Sequence, residues 1–263
     1  MPEEQIIRMT IAYDGADYMG WQIQPGRRTI QGEIESALAH IAGRRVVVIG
    51  ASRTDSGVHA RGQIASFRWG IDIHPERLPF AINSRLSPDI RVLDCRVAQP
   101  DFDARRSCIG KTYAYTMCLS RIQDPLNRRY TAHVPFQLDL SAMADAAQVL
   151  QGEIDLSVFS RAEAIGRLGD RGSIRKITFS KWHFSEHTGI FRISADGFLR
   201  HSIRCIVGTM IEIGRGRIQT ADMLALIQGG CGRAQLRATT MPACGLCLEK
   251  VNYNDAAVLG SRE

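Results

Sequence analysis

The sequence predicts an α+β protein of two pseudo-duplicated halves that share a largely antiparallel sheet with helices on one side. Three observations carry this. Short apolar runs with period-two alternation recur along the 263 residues. Segments of helical spacing lie between them, bounded by capping residues or glycine. Strand, helix, strand, strand, helix, strand in the first half is followed by a similar mixture in the second.

Taken in order, Ile6–Tyr13 reads as a strand broken by Asp14-Gly15-Ala16-Asp17. Pro25-Gly26 is a tight-turn pair that projects Arg27 and Arg28. Thr29 is the N-cap of a helix with Ile30, Ile34, Leu38 and Ile41 on its apolar stripe, closed by Gly43. Arg45–Gly50 and Ile64–Trp69 read as buried strands. Pro75 opens a short helix bearing Leu78, Ala81, Ile82 and Leu86. Ile90–Val97 alternates as a strand. The pattern loosens and turns basic at Phe102–Ser107, which places the domain junction between residues 1–107 and 108–263.

In the second half, Lys111–Leu119 reads as a strand with Tyr113, Tyr115 and Met117 on one face. Ala142–Gln151 is helical and Gly152 stops it. Arg161–Ser173 has three Gly and three Arg without a period, and reads as a mobile basic loop. Ile174–Phe184 and Ile190–Ala195 read as strands. A helix follows His201, another covers Thr220–Gly229, and Ala243–Tyr253 is a final strand.

Composition narrows the function classes. Hydrophobic residues at 44% and charged residues at 23% suit a soluble globular enzyme. Lys+Arg outnumber Asp+Glu by 33 to 27, a net +6 that suits a polyanionic partner. The seven cysteines are odd in number and scattered, which points to reduced thiols in a cytoplasmic protein. Cys244-Gly-Leu-Cys247 has CxxC spacing but lacks the second ligand pair of a zinc site. The acidic Met1–Gln5 does not read as a signal peptide, and no apolar stretch approaches the ~20 residues that span a bilayer.

The chemistry concentrates between the two strands at 45–50 and 64–69. Gly50-Ala51-Ser52-Arg53-Thr54-Asp55-Ser56-Gly57-Val58-His59-Ala60-Arg61-Gly62-Gln63 is long for a hairpin turn. Asp55 lies among Arg53, His59 and Arg61, and nearby positive charge favours an ionised carboxylate. Such a carboxylate can serve as nucleophile or base. Asp-Ser-Gly is equally an ordinary Asx-turn on its local letters. Later, Arg200, Arg204 and Gly208 share a helix face. Arg204, between Phe198 and Ile206, reads as partly buried and in need of an anion, with Asp55 the candidate.

Arg53-Thr54-Asp55-Ser56-Gly57-Val58-His59-Ala60 resembles the R-T-D-x-G-V-H-A signature of the TruA-type tRNA pseudouridine synthase family. Tyr13-Asp14-Gly15 with Tyr18-Met19-Gly20-Trp21-Gln22-Ile23-Gln24 resembles its opening motif. Lys111-Thr112-Tyr113-Ala114-Tyr115 resembles its K-x-Y-x-Y strand. Gly197–Gly208 resembles its F-L-x-H-x-V-R-x-I-V-G segment, and Pro242–Leu248 its closing motif. Ser52, Ser202, Ile203 and Met241 depart from the usual letters.

The resemblance implies ferredoxin/RRM-like halves with a central RNA-binding cleft. It implies an isomerase that converts uridine to pseudouridine at positions 38, 39 and 40 of the tRNA anticodon stem-loop. Asp55 would be the nucleophile and Arg204 its partner, while Tyr113 would lie against the flipped uracil. Arg53 would fill the vacated place in the RNA. Arg27, Arg28, Lys111 and His59 are further candidates for substrate contact. No metal and no cofactor are implied, and a homodimer is. Two other classes stay open from the residues alone: a non-catalytic RRM-like RNA-binding module, and a thiol oxidoreductase using Cys244 and Cys247.

Overall fold

The computed structural model describes residues 4–160, 172–229 and 239–254. The chain forms a mixed α+β structure whose strand pairs, among the described residues, are mostly antiparallel. It divides into two compact units, residues 1–111 with 247–263, and residues 112–246.

In the first unit β1 (Gln5–Tyr13) lies between β3 (His59–Trp69) and β4 (Ile90–Val97), antiparallel to both. Alternation along β1 buries Ile7, Met9, Ile11 and Tyr13 on one face. Helix α1 (Ile30–Ala42) begins as its letters require: the Thr29 hydroxyl accepts from Gly32 N–H, and Gly43 closes it in the left-handed region. Its stripe of Ile30, Ile34 and Leu38 is fully buried. The helix expected at Pro75 is a 3-10 turn, Pro75–Arg77, running into α2 (Leu78–Asn83).

Arg45–Gly50 is not a full strand; only β2 (Ile49–Gly50) pairs, with β3. Side chains of α1 explain this. Glu35 accepts from Val48 N–H at 3.0 Å and Gln31 donates to the Val48 carbonyl at 2.9 Å, so those groups are taken before a ladder can form. The strand expected at 64–69 starts earlier, at His59, because Gly57 (φ 77) turns the chain into it.

In the second unit the order is β5 (Gly110–Cys118), β9 (Thr188–Ala195), β8 (Ile174–Phe184), β7 (Gly152–Asp155), and β6 (Ala132–His133) pairs parallel with β5. Helix α3 (Leu140–Gln148) starts and ends earlier than the expected Ala142–Gln151: Val149 is its C-cap, and Gly152 opens β7 instead of stopping the helix. Helix α4 (Ser202–Gly214) packs against α3, where Gly214 lets the Met143 thioether approach. Helix α5 covers Thr220–Ile227. The basic loop expected at 161–173 falls mostly on residues 161–171, outside the described residues.

The last strand departs from the expected division at 107/108. It starts at β10 (Leu246–Asn252), after a 3-10 turn at Ala243–Gly245. From Cys247 on it belongs to the first unit, pairing parallel with β3 through Cys247↔His59 and Leu248↔Ala60. Gly62 makes room for it, since a Cβ there would sit 2.5 Å from the Glu249 carbonyl oxygen.

Candidate active site

Asp55 belongs to the loop at 51–58. Ala51, Ser52, Thr54 and Val58 are buried, Arg53 and Ser56 are exposed, and Asp55 is half-buried. A loop this buried must bond its backbone internally. Trp21 N–H donates to the Thr54 carbonyl at 3.1 Å, and Gly57 N–H to the Tyr18 carbonyl at 3.3 Å. Val58 N–H closes a turn onto the Asp55 carbonyl at 3.2 Å. Fully buried Gln63 clamps Ser52, accepting from its N–H at 3.2 Å and donating to its carbonyl at 2.7 Å. The Tyr13 hydroxyl meets the Thr54 hydroxyl at 2.8 Å, and Ser56 donates to the Tyr18 carbonyl at 3.1 Å.

Two glycines allow the 13–22 stretch to lie so close. Gly20 has φ 85, and a Cβ there would sit 2.6 Å from the Thr54 carbonyl oxygen. A Cβ on Gly15 would overlap the Val58 carbonyl. The two motifs, distant in sequence, therefore form one body. The carboxylate of Asp55 hangs from a backbone fixed on both sides, as a preorganised nucleophile or base requires.

His59, proposed for substrate contact, is only 5% exposed. Its Nδ1 lies 3.2 Å from Gly15 N and 3.1 Å from an Asp14 carboxylate oxygen. The first contact uses the nitrogen's lone pair and the second its proton, so protonation decides which is made. Arg53 is exposed beside Asp55, and Arg27 is exposed beyond the Gly26 turn. Arg28 stacks over the Tyr18 ring at 4.5 Å and pairs with Glu33 at 3.1 Å, a hydrogen bond that raises its pKa. Lys111 is half-buried at the end of the first unit.

Arg204 and Tyr113 belong to the second unit. Buried Tyr113 meets Phe198 edge-on, with ring centroids 5.4 Å apart. Half-buried Arg204 lies in the first turn of α4, entered through His201 in the left-handed region (φ 64). Arg204 Nε donates to the Met241 carbonyl at 2.6 Å, and Met241 N–H to the Arg204 carbonyl at 3.2 Å.

Sequence reasoning missed the brace behind Arg204. Tyr115, fully buried, donates its hydroxyl to the Pro242 carbonyl at 2.8 Å. Burial pushes that phenol's pKa well up, so it stays a donor. Gly208 and Gly245 admit the same segment: a Cβ on Gly208 would overlap the Thr239 carbonyl, and one on Gly245 would sit 2.7 Å from the Tyr115 ring. The alternating K-x-Y-x-Y letters do signal two inward tyrosines, but not that the second donates to the backbone of the 239–245 segment.

The thiols do not suit redox chemistry. Burial raises Cys244 and pushes Cys247 up to about 11, the opposite of an activated thiolate. Among the described residues no group of His, Cys, Asp and Glu could hold a metal ion.

A family model described as tRNA pseudouridine synthase matches residues 9–105 and 146–254. A protein of Moorella thermoacetica named tRNA pseudouridine synthase A is 41% identical over 250 residues, covering 94% of this chain and 99% of the relative. Its namesakes in Latilactobacillus sakei and Bacillus pumilus are 38% and 36% identical, each covering 95% of this chain and 99% of the relative. The first matched segment contains the Asp55 loop and the second contains Arg204 and the 239–245 segment; the chain belongs to the tRNA pseudouridine synthase family, and is an isomerase acting on tRNA uridine.

Proposed function

We propose that this isomerase acts at positions 38, 39 and 40 of the tRNA anticodon stem-loop, with Asp55 as nucleophile. The observation that carries the reading is the locked loop: a half-buried carboxylate on a backbone held by Tyr13, Tyr18, Trp21 and Gln63. The reaction breaks the bond from uracil N1 to ribose C1′ and forms one from C5 to C1′. A proton leaves C5 and one is gained at N1, so no electrons are exchanged and no cofactor is needed.

The target uridine must leave the helical stack. Arg53, exposed on the loop, fills the vacated place. Tyr113 lies against the uracil and handles protons. Arg204 supplies the countercharge that pairs with Asp55 and orients it. Arg27, Arg28 and Lys111 contact the RNA backbone; buried His59 serves substrate binding by holding the Asp14–Gly15 turn. The fold is read as two pseudo-duplicated ferredoxin/RRM-like halves, 1–107 and 108–263, with a central RNA-binding cleft, and the working enzyme as a cytoplasmic homodimer. Among the described residues no helix is long and apolar enough to cross a membrane.

The test is tritium release from tRNA labelled at uridine C5. The natural protein should release it, and Asp55→Asn or Asp55→Ala should abolish release. Turnover retained in either variant rules out the nucleophile role. Arg204→Ala should cut turnover more than tRNA binding; lost affinity with intact turnover contradicts its assignment.

A further inference from the structure

Arg8 stands apart from the other charged side chains of the first unit. It lies mid-β1 on the face opposite Ile7, Met9 and Ile11, and is half-buried. Its Nε is fully buried without a hydrogen-bond partner. Its guanidinium makes no hydrogen bond or ion pair with the described residues.

The neighbours do not satisfy it. Ser66, opposite on β3, gives its hydroxyl oxygen to Ala104 N–H at 3.1 Å. Arg96, opposite on β4, is a second cation, already paired with Asp94 at 2.8 Å. Like charges directly opposite on neighbouring strands destabilise a sheet. Burial lowers the pKa of Arg8, outweighing the attraction of Asp94.

What the structure does supply is a platform. The Tyr253 ring lies 6.0 Å from the guanidinium carbon. That ring is fixed by its hydroxyl, which donates to the Ala104 carbonyl at 2.6 Å, and by Phe102, with centroids 5.2 Å apart. The adjoining turn exposes Arg105 and Arg106, whose N–H groups both donate to Asp103 at 2.8 Å. A cation aligned on an aromatic and left without an acceptor costs stability unless an anion from outside completes it. Guanidinium forks match phosphate geometry, and the tRNA substrate carries a phosphodiester at every nucleotide.

We infer that Arg8, backed by Tyr253, binds a backbone phosphate of the tRNA on this face of the first unit's sheet. The inference rests only on tRNA being the substrate, not on the modified position or on the role of Asp55.

The experiment measures tRNA affinity of the full chain across a salt series for the natural protein, Arg8→Met and Arg8→Lys. One lost phosphate contact should make the slope of log affinity against log salt shallower by about 0.7–0.9 in Arg8→Met. The drop in affinity between about 50 and about 200 mM salt then becomes roughly threefold smaller. Arg8→Lys should keep the slope. Turnover at saturating tRNA should not change, and the melting temperature of Arg8→Met should hold or rise, because an uncompensated charge has left the sheet. An unchanged slope in Arg8→Met overturns the inference. So does a fall in melting temperature and turnover together, which marks Arg8 as structural.

Discussion

At Gly20 the chain combines a left-handed backbone with close contact to the Thr54 carbonyl, whereas Gly26 has φ 66 and nothing near its absent side chain. The pair separates conformation from contact. Gly26→Ala should cost about 1–2 kcal/mol for the left-handed residue alone. Gly20→Ala should cost more, with strain of order 1–3 kcal/mol added, and should lower turnover because it pushes on the Asp55 loop. Urea unfolding of both variants measures the difference; equal losses would mean the close approach does not matter. Cys247 offers a pH test. Its thiol pKa is raised from 9.0 to about 11 by burial, so its contribution to stability is whole below about 9 and is lost as pH rises towards about 11. Iodoacetamide labelling of Cys247 in the native protein should accordingly lag behind labelling in urea at pH 9, and equal rates would contradict its burial.

Among the elements, α4 and the 239–245 segment act as one support for Arg204. Tyr115→Phe deletes only the hydroxyl and leaves the Pro242 carbonyl short of a donor. The expected loss is about 1–3 kcal/mol of stability. Turnover should fall more than tRNA affinity, because the Met241 carbonyl that holds Arg204 Nε is the next residue along. Equal effects on kcat and KM would make Tyr115 a packing residue only. Elements whose signal is local were legible in the letters. Thr29 and Gly43 bracket α1, and Ile90–Val97 and Ile174–Phe184 are apolar-rich runs that read as strands; all four readings match the structure. Arg45–Gly50 was not legible, because Gln31 and Glu35 of α1 capture its backbone and no local pattern announces that. The same holds for Tyr115, whose partner is far along the chain.

Over the whole molecule, the return of the last strand to the first unit is the feature the sequence hid. An apolar run states that it will be a strand, but not which edge it will join. Only the fold shows that Cys247 pairs with His59, directly after the Asp55 loop. The candidate site was legible in the opposite way. Its residues were recognisable as motifs, while the reason for the glycines and Gln63 in them became visible only as hydrogen bonds and close approaches. The net charge of +6 belongs to this scale too. Binding to tRNA should weaken steeply as salt rises, each phosphate contact adding about 0.9 or less to the slope.

Mapping pseudouridine in an unmodified tRNA incubated with the natural protein and with Asp55→Asn tests the central claim most directly. The natural protein should place it at positions 38, 39 or 40, and the variant should bind the same tRNA yet leave every uridine unchanged. Pseudouridine formed by the variant, or by the natural protein only outside the anticodon stem-loop, would contradict the account.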